Sequence, residues 1–254
     1  MRRWTRARLI EPSTAGYLYI GASSGSWALP AALPSARRRI LLALLHATAE
    51  VLRLEEGIER ADVFRAVLRP PGSGRSRASQ SDSAVCGAAP GPALSFPPNA
   101  VLDAVLLVQT RDPATAAAQL RTAQVASLRA RLEACGACTL VFAGSNVRRI
   151  ADVEHERAGI FLFNYFSAED TEENLYAWQY TAGWFQQQTG LDNSTVLRPI
   201  GPAGGYSLIN HCRWDHLRDV LPALIFRPSF RRFVLRTFAE HRTAAHPVLY
   251  RLDR

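Results

Sequence analysis

The order of predicted strands and helices occurs twice along the chain, and this repetition limits the fold more than any other feature. In the first half, hydrophobic periodicity predicts strand, helix, two strands, helix and strand at 17–22, 35–54, 61–68, 102–109, 112–134 and 139–143. Asp112 and Pro113 suit the N-cap and first position of the second helix. The second half repeats the order at 160–166, 167–190, 194–197, 206–213, 214–241 and 248–252. Pro222 and Pro228 are expected to interrupt its last helix.

Two βαββαβ orders in one chain predict an α+β fold of tandem ferredoxin-like units. We place a degenerate first unit at 1–150 and a second unit at 158–254, with their sheets paired face to face in the manner of a dimeric α/β barrel. Residues 70–98 are rich in Gly, Ser, Pro and Ala, cannot build a core, and are predicted to form a mobile loop.

The basic charge of the chain does not indicate a nucleic-acid partner. The net charge of +8 comes from arginine alone, since the sequence has no lysine. This usage, with much Ala, Gly and Pro, is typical of high-GC genomes such as those of actinobacteria. The arginine clusters near the N-terminus and at 37–39 have no interleaved aromatic residues, so a solvated basic surface is the expected role.

Targeting and cysteine patterns favour a cytoplasmic protein with no membrane partner. No stretch has the roughly 18 apolar residues that a membrane span needs, and the N-terminus lacks the apolar centre of a signal peptide. Cys135 and Cys138 form a lone CxxC with no second pair or matching histidines for zinc. Reduced, incidental cysteines are therefore expected, and no metal site.

Asn210 is the most informative polar residue of the sequence. Strand alternation places Tyr206, Leu208, Asn210, Cys212 and Trp214 on one face. That face is mostly apolar, so a core would claim it, and an unpaired buried amide there costs roughly 1–3 kcal/mol. Either the protein or a ligand must satisfy Asn210.

Three local motifs resemble the antibiotic-biosynthesis monooxygenase family, whose members include anthrone oxygenases of aromatic polyketide pathways. They are the Trp184-to-Gly190 stretch with its following leucine, the Asn210-to-Trp214 stretch, and Pro228-Ser-Phe230. The resemblance covers about residues 159–252, and it implies a dimeric α+β barrel and an oxygenase. Before residue 159 only the order of elements agrees.

The resemblance assigns catalytic roles to Asn210 and Trp214. Such an enzyme holds a flat phenolic polycycle as its anion, which passes an electron to O₂ before the radicals recombine. An amide N–H would stabilise the oxyanion, and Trp214 would supply a stacking wall. Neither metal nor heme is expected.

Two positions depart from the family pattern. Val220 stands where the family has a catalytic tyrosine, and the Arg198 region replaces a histidine. The length and tandem arrangement resemble instead the ring-opening oxygenases of angucycline pathways, which cleave a carbon–carbon bond with O₂. Those enzymes are associated with reduced flavin, FADH₂ or FMNH₂, so a flavin reductase is an expected partner.

Several other residues are candidates for substrate binding. The helix 172–188 has a core stripe with Trp178 and a second aromatic stripe with Tyr180 and Trp184, which favours a pocket wall or an interdomain contact. Asn164 interrupts an apolar strand, and its counterpart in related heme-degrading enzymes is functional. The set is Trp184, Asn164, Trp178, Tyr180, Arg198 and Phe230, with a core role also open for Phe230.

The histidines are weaker candidates than these residues. His211 alternates to the face opposite Asn210 and is expected to be structural. His241 and His246 flank a loop from which either reaches a pocket mouth as a general base.

Two other functions stay open at this stage. Heme-degrading relatives need an iron-ligating histidine on the second helix, and 231–236 has none. A non-catalytic ligand-binding or assembly domain has the same fold, since fold does not fix function. The first half has no Asn–Trp pair at 107–111 and is interpreted as scaffold, and a homodimer is also open.

Overall fold

The computed structural model describes residues 4–25, 30–70, 72 and 101–254. Its strands are β1 Gly16–Ser23, β2 Ile58–Leu68, β3 Ala104–Thr110, β4 Cys138–Ala151, β5 Ile160–Ser167, β6 Ser194–Ile200, β7 Leu208–Trp214 and β8 Ala244–Asp253. Its helices are α1 Ala36–Leu52, α2 Pro113–Gln119, α3 Ala123–Ala134, α4 Thr171–Thr189, α5 Leu217–Phe226, a π-helix at Phe230–Leu235, and α6 Arg236–Glu240. The predicted loop 70–98 lies outside the described residues, apart from Pro70 and Gly72.

The eight strands form one closed barrel in the order β1-β3-β2-β8-β5-β7-β6-β4. Neighbouring strands are antiparallel throughout. The two halves face each other across a shared inner core, and they also meet edge to edge, at β2–β8 and β4–β6, which closes the barrel. An α+β fold with a barrel inside one chain is confirmed, whereas two ferredoxin-like units with separate boundaries stay a prediction.

Two predicted helices differ from the observed ones. The segment 112–134 forms two helices rather than one. Thr122 lies between them and is the N-cap of α3, where its side-chain oxygen accepts from Val125 N. The predicted Asp112 cap of α2 is confirmed. In the second half, α5 continues through Pro222, and the interruption falls at Arg227, whose extended backbone is the conformation favoured before a proline.

Alternation along the strands divides the barrel into an inside and an outside. The inside is filled largely by aromatic rings, among them Tyr19, Phe64, Phe142, Phe161, Phe163 and Tyr250, each at most 1% exposed. Outside, α1 and α3 pack aliphatic side chains on the first half, and α4, α5 and α6 cover the second half. The barrel therefore separates an inner core from two outer cores.

An N-terminal strap, residues 4–10, crosses the outer side of α4. The amide of Ala7 donates to the Gln179 carbonyl at 2.9 Å, and the ring of Trp4 lies 6.2 Å from that of Trp184. The strap comes so close to the helix that a Cβ at Gly183 would lie 1.9 Å from the Thr5 carbonyl oxygen. Only a glycine admits this approach.

The cysteines differ from the sequence-based expectation at one position. Cys135 and Cys212 are free, but Cys138 is disulfide-bonded, so the prediction of reduced cysteines is wrong for Cys138. Among the described residues, no helix is both long enough and apolar enough to span a membrane.

Candidate functional site

A cavity lies outside the barrel, between strands β5 and β8 and the helices that cover the second half. Its volume is about 420 Å³, part of which is open to solvent. Pro70, Gly72, Leu162, Asn164, Phe185, Val220, Leu224, Phe230, Val234, Leu235, Phe238, Ala245, Pro247 and Leu249 line it. We call it the helix-side cavity.

Asn164 contributes the polar group of this wall. It lies on β5, and its amide Oδ1 is buried without a hydrogen-bond partner among the described residues. Its cross-strand neighbours are Asn210 on β7 and Pro247 on β8. Because an unpaired buried acceptor costs roughly 1–3 kcal/mol, a ligand that donates to Asn164 would be favoured.

Asn210 is satisfied mainly by the protein. It is buried, and its Oδ1 accepts from Ser194 Oγ on β6 at 2.6 Å. Its Nδ2 donates to the Cys212 sulfur at 3.7 Å, and a thiol is a weak acceptor. Burial raises the pKa of Cys212, which therefore stays a thiol. Asn210 adjoins Asn164, but it is not one of the lining residues.

The two predicted tryptophans stand behind the cavity wall. Trp214 donates its indole N–H to Thr189 at 3.1 Å, and its ring lies 6.1 Å from that of the lining residue Phe185. Trp184 is fully buried, donates to Ser229 at 3.1 Å, and lies 5.7 Å from the lining ring of Phe230. Both tryptophans thus fix the position of rings that face the cavity.

Three further candidates do not line the helix-side cavity. Trp178 is 2% exposed and belongs to the outer core of the second half. The ring of Tyr180 lies at the surface under the Arg6 guanidinium, 5.0 Å from its centroid. Arg198 pairs with Glu172 on α4 at 2.6 Å. The substrate-binding roles predicted for these three stay untested predictions.

The break in the second helical region shapes the cavity. After Pro228 the chain resumes as a π-helix, a wider turn that occurs often at functional sites. It directs Phe230, Val234 and Leu235 into the lining. Val220, where the resemblance expects a tyrosine, also lines the cavity. None of the described lining residues has a titratable side chain.

A hydrogen-bonded histidine pair inside the barrel was only half predicted. Asp62 Oδ2 lies 2.6 Å from His155 Nδ1, and His155 Nε2 lies 2.7 Å from His211 Nε2. Burial lowers the pKa of His155, against the effect of Asp62, and lowers that of His211 well below its usual value. His211 faces away from Asn210, as alternation predicts. His155 lies in the β4–β5 connection, where the sequence has no periodic signal.

The histidines that were candidate bases lie elsewhere. His241 contacts Glu173 at 2.6 Å near the surface, and His246 faces the end of the barrel rather than the helix-side cavity. Among the described residues, no group of three or more His, Cys, Asp or Glu side chains is arranged to hold a metal ion.

Comparison with known proteins identifies the fold. No protein-family model matches the sequence, and a search of curated proteins gives no match. The structure is similar to an anthrone oxidase-like protein, with TM-score 0.62 and 10% identity over 97% of this chain and 95% of that one. At this identity the likeness shows a shared fold, that of the dimeric α+β barrel proteins.

Two further solved structures are more distant. A chlorite dismutase mutant from Candidatus Nitrospira defluvii gives TM-score 0.49 and 12% identity over 95% and 92% of the two chains. A putative monooxygenase from Lactobacillus acidophilus NCFM gives 0.42 and 9% over 94% of each.

Proposed function

We propose that this protein is an oxygenase that uses O₂ on an aromatic polyketide, a polycyclic phenol or hydroquinone of the anthrone or angucycline type, in antibiotic biosynthesis. One observation carries the proposal: an apolar, ring-lined cavity whose wall holds the unpaired amide oxygen of Asn164 beside Asn210. The fold likeness to an anthrone oxidase-like protein is consistent with this function.

The cavity offers the contacts that such a substrate needs. Flat rings pack against Phe185, Phe230 and Phe238, since aromatic faces favour offset stacking and edge contacts. A phenol O–H of the substrate, other than the one that ionises, donates to Asn164 Oδ1 and satisfies it. The amide of Asn210, held by Ser194, then supplies an N–H dipole close to the developing oxyanion.

The reaction of an anthrone-type substrate balances without a cofactor. A ring CH₂ loses two hydrogens and gains one oxygen atom of O₂ as a carbonyl, and the second oxygen atom leaves as water. All four electrons come from the substrate. A more specific reaction is the oxidative cleavage of a ring C–C bond. Its substrate would be a hydroquinone, which a reductant makes from the corresponding quinone.

In the ring-cleavage reaction, reduced flavin would act from solution. The described lining has no cationic side chain for a flavin phosphate, so the cavity does not fit a bound flavin. The flavin would reduce the substrate before it enters, and a flavin reductase would be the partner that regenerates it.

Proton transfer would depend on the substrate itself. Because no titratable side chain lines the described cavity, the phenol enters as its anion or releases its proton to water. Turnover is therefore expected to rise with pH through the phenol pKa of the substrate.

Oxygen uptake with asparagine variants tests the proposal. The protein is incubated with dehydrorabelomycin or an anthrone, with and without a flavin reductase, and product mass is recorded. Removal of one oxyanion donor typically costs about 10²–10³ in rate, and we expect at least a roughly tenfold loss of kcat/KM for Asn210→Ala. Asn164→Ala removes the acceptor for a neutral phenol and should raise KM. Asn174→Ala, at a buried asparagine of α4 outside the lining, is the control and should retain turnover.

Other outcomes separate the alternatives. No oxygen uptake with any polycyclic phenol would exclude the oxygenase. Tight heme binding, measured by a Soret band, would favour a heme-degrading enzyme, although no histidine lines the described cavity. Binding of polycycles without turnover would indicate a ligand-binding protein. Turnover that both asparagine variants retain would keep the enzyme class and remove this site.

A further inference from the structure

A second cavity opens at one end of the barrel, on the inner side of β8. Its volume is about 450 Å³, part of which is open to solvent, and Arg69, Pro70, Gly72, Val101, Leu102, Tyr165, Tyr206, Ala245, His246, Pro247 and Val248 line it. We call it the barrel-end cavity. It shares a thin wall with the helix-side cavity, formed by Pro70, Gly72, Ala245 and Pro247.

Strand alternation separates the polar groups of the two cavities. Tyr165 and His246 are cross-strand partners on β5 and β8, and so are their neighbours Asn164 and Pro247. Successive side chains of a strand point to opposite faces. Tyr165 and His246 therefore serve the barrel end, whereas Asn164 serves the helix-side cavity.

Three rings form the sides of the barrel-end cavity. The ring of Tyr206 lies 5.4 Å from that of Tyr165 and 6.2 Å from that of His246. Burial raises the pKa of Tyr206 to about 12 and that of Tyr165 well above its usual value, so both phenols are neutral. These rings offer contact area to a flat aromatic ligand.

The floor of this cavity is fixed by a chain of hydroxyl groups. Tyr250 donates to the Leu102 carbonyl at 2.9 Å. Its oxygen then accepts from Tyr165 at 2.9 Å, and Tyr165 accepts from Tyr19 at 2.6 Å. Each phenol proton thus has an internal acceptor, and the floor has no need of a ligand.

The rim of the barrel-end cavity has polar groups that can bind a ligand. Arg69 is exposed and makes no ion pair within the described part of the chain. Burial and the charge of Arg69 lower the pKa of His246, which is therefore a neutral imidazole. No hydrogen bond of its ring nitrogens is found among the described residues. An anion is favoured beside Arg69, and the imidazole offers one donor and one acceptor.

We propose that the barrel-end cavity is a second binding site, for a planar aromatic acid. The ring of the ligand lies against Tyr206 and His246, and its acidic group pairs with Arg69. Stacking supplies contact area, and the planar guanidinium suits a carboxylate. This site does not depend on the oxygenase function proposed for the helix-side cavity.

Calorimetric titration with 2-naphthoate and its neutral analogue 2-naphthamide tests the site. The wild type should bind 2-naphthoate more tightly, because only the acid pairs with Arg69. Arg69→Gln should weaken 2-naphthoate about fivefold, the scale of an exposed ion pair, and remove the preference over the amide. Tyr206→Ala should weaken both probes.

Two controls locate the bound probe. Arg121→Gln removes an exposed arginine between α2 and α3 and should leave both affinities unchanged. Asn164→Ala alters the opposite face of β5 and should also leave 2-naphthoate binding unchanged. Equal affinity of the wild type for acid and amide, or no binding at millimolar probe, would overturn the proposal. So would a loss with Arg121→Gln or Asn164→Ala as large as with Arg69→Gln.

Discussion

At the scale of single residues, the neighbours Asn164 and Asn210 differ in the hydrogen bonding of their amide oxygens. Ser194 holds the oxygen of Asn210 at 2.6 Å, whereas the oxygen of Asn164 has no partner in the described part of the chain. The protein therefore holds one amide in place and leaves the other with an unmet hydrogen bond at a cavity wall. That difference makes Asn164 the stronger position for direct contact with a ligand, and it makes Ser194 a positioning residue for Asn210.

Stability against acid should depend on the histidine pair inside the barrel. His155 and His211 have lowered pKa values in the folded protein, so the unfolded chain, with histidine pKa near 6.5, binds protons at higher pH. The free energy of unfolding should therefore be largest above about pH 6.5 and fall as pH drops below it. Urea unfolding between pH 8 and pH 5 measures this.

Two variants separate the contribution of the histidine pair from other causes of lower stability in acid. His211→Phe keeps a ring in the stack with Phe161 and Phe163, whose centroids lie 5.7 and 4.2 Å away, but removes one titrating group. It should lose part of the pH slope. Leu197→Ala, also inside the barrel, should lower stability by a similar amount at every pH. An identical slope in wild type and His211→Phe would contradict this account.

Sequence patterns predict residue faces better than residue partners. Alternation placed Asn210 and His211 on opposite faces of β7, as the structure confirms, because a strand fixes direction locally. The partners of these residues, Ser194 and His155, come from other segments of the chain. No local pattern encodes which hydroxyl or imidazole a fold brings across.

At the scale of elements, the helical region after β7 contains two prolines, and the sequence alone does not show which of them interrupts the helix. Pro222 lies inside α5 without ending it, whereas Pro228 marks the real interruption. The difference comes from the residue before each proline. Arg227 is extended, which ends the helix, whereas Leu221 stays helical within α5, which buries Val220, Ala223 and Leu224.

The contact between α4 and the N-terminal strap should be sensitive to one methyl group. Gly183→Ala would place a Cβ 1.9 Å from the Thr5 carbonyl, so the strap must move. We expect a loss of about 1–3 kcal/mol in the free energy of unfolding, the usual cost of overpacking, and faster proteolysis near the N-terminus. In a chain that lacks residues 1–10 the same substitution should cost much less. An equal cost in both chains would show that the strain lies within α4.

At the scale of the whole molecule, the two halves depend on each other through two seams. β2 pairs with β8 and β4 pairs with β6, and the inner core mixes rings from both halves. The element order was predictable because each strand and helix has its own periodic pattern. Barrel closure was not predictable in this way, because β4 continues through Arg148 and Arg149 to Ala151, beyond the end of its apolar pattern.

Cleavage between the halves tests this dependence. Glu156 and Arg157 are exposed in the β4–β5 connection, so a protease site engineered there should be cut without unfolding. The two fragments should remain associated and unfold together. Once separated in denaturant, neither alone should show a cooperative transition on refolding, and mixing should restore it. A second fragment that folds alone would instead support an independent unit at 158–254.

A barrel closed within one chain also frees its halves to evolve apart. In an assembly of two identical copies, each substitution appears twice, and any change to one binding cavity is imposed on its twin. Here the first half packs its outer face with aliphatic residues such as Leu41, Leu45 and Leu128, whereas the second half holds a cavity at the equivalent layer. One half can therefore be selected for rigidity while the other is selected for its ligand.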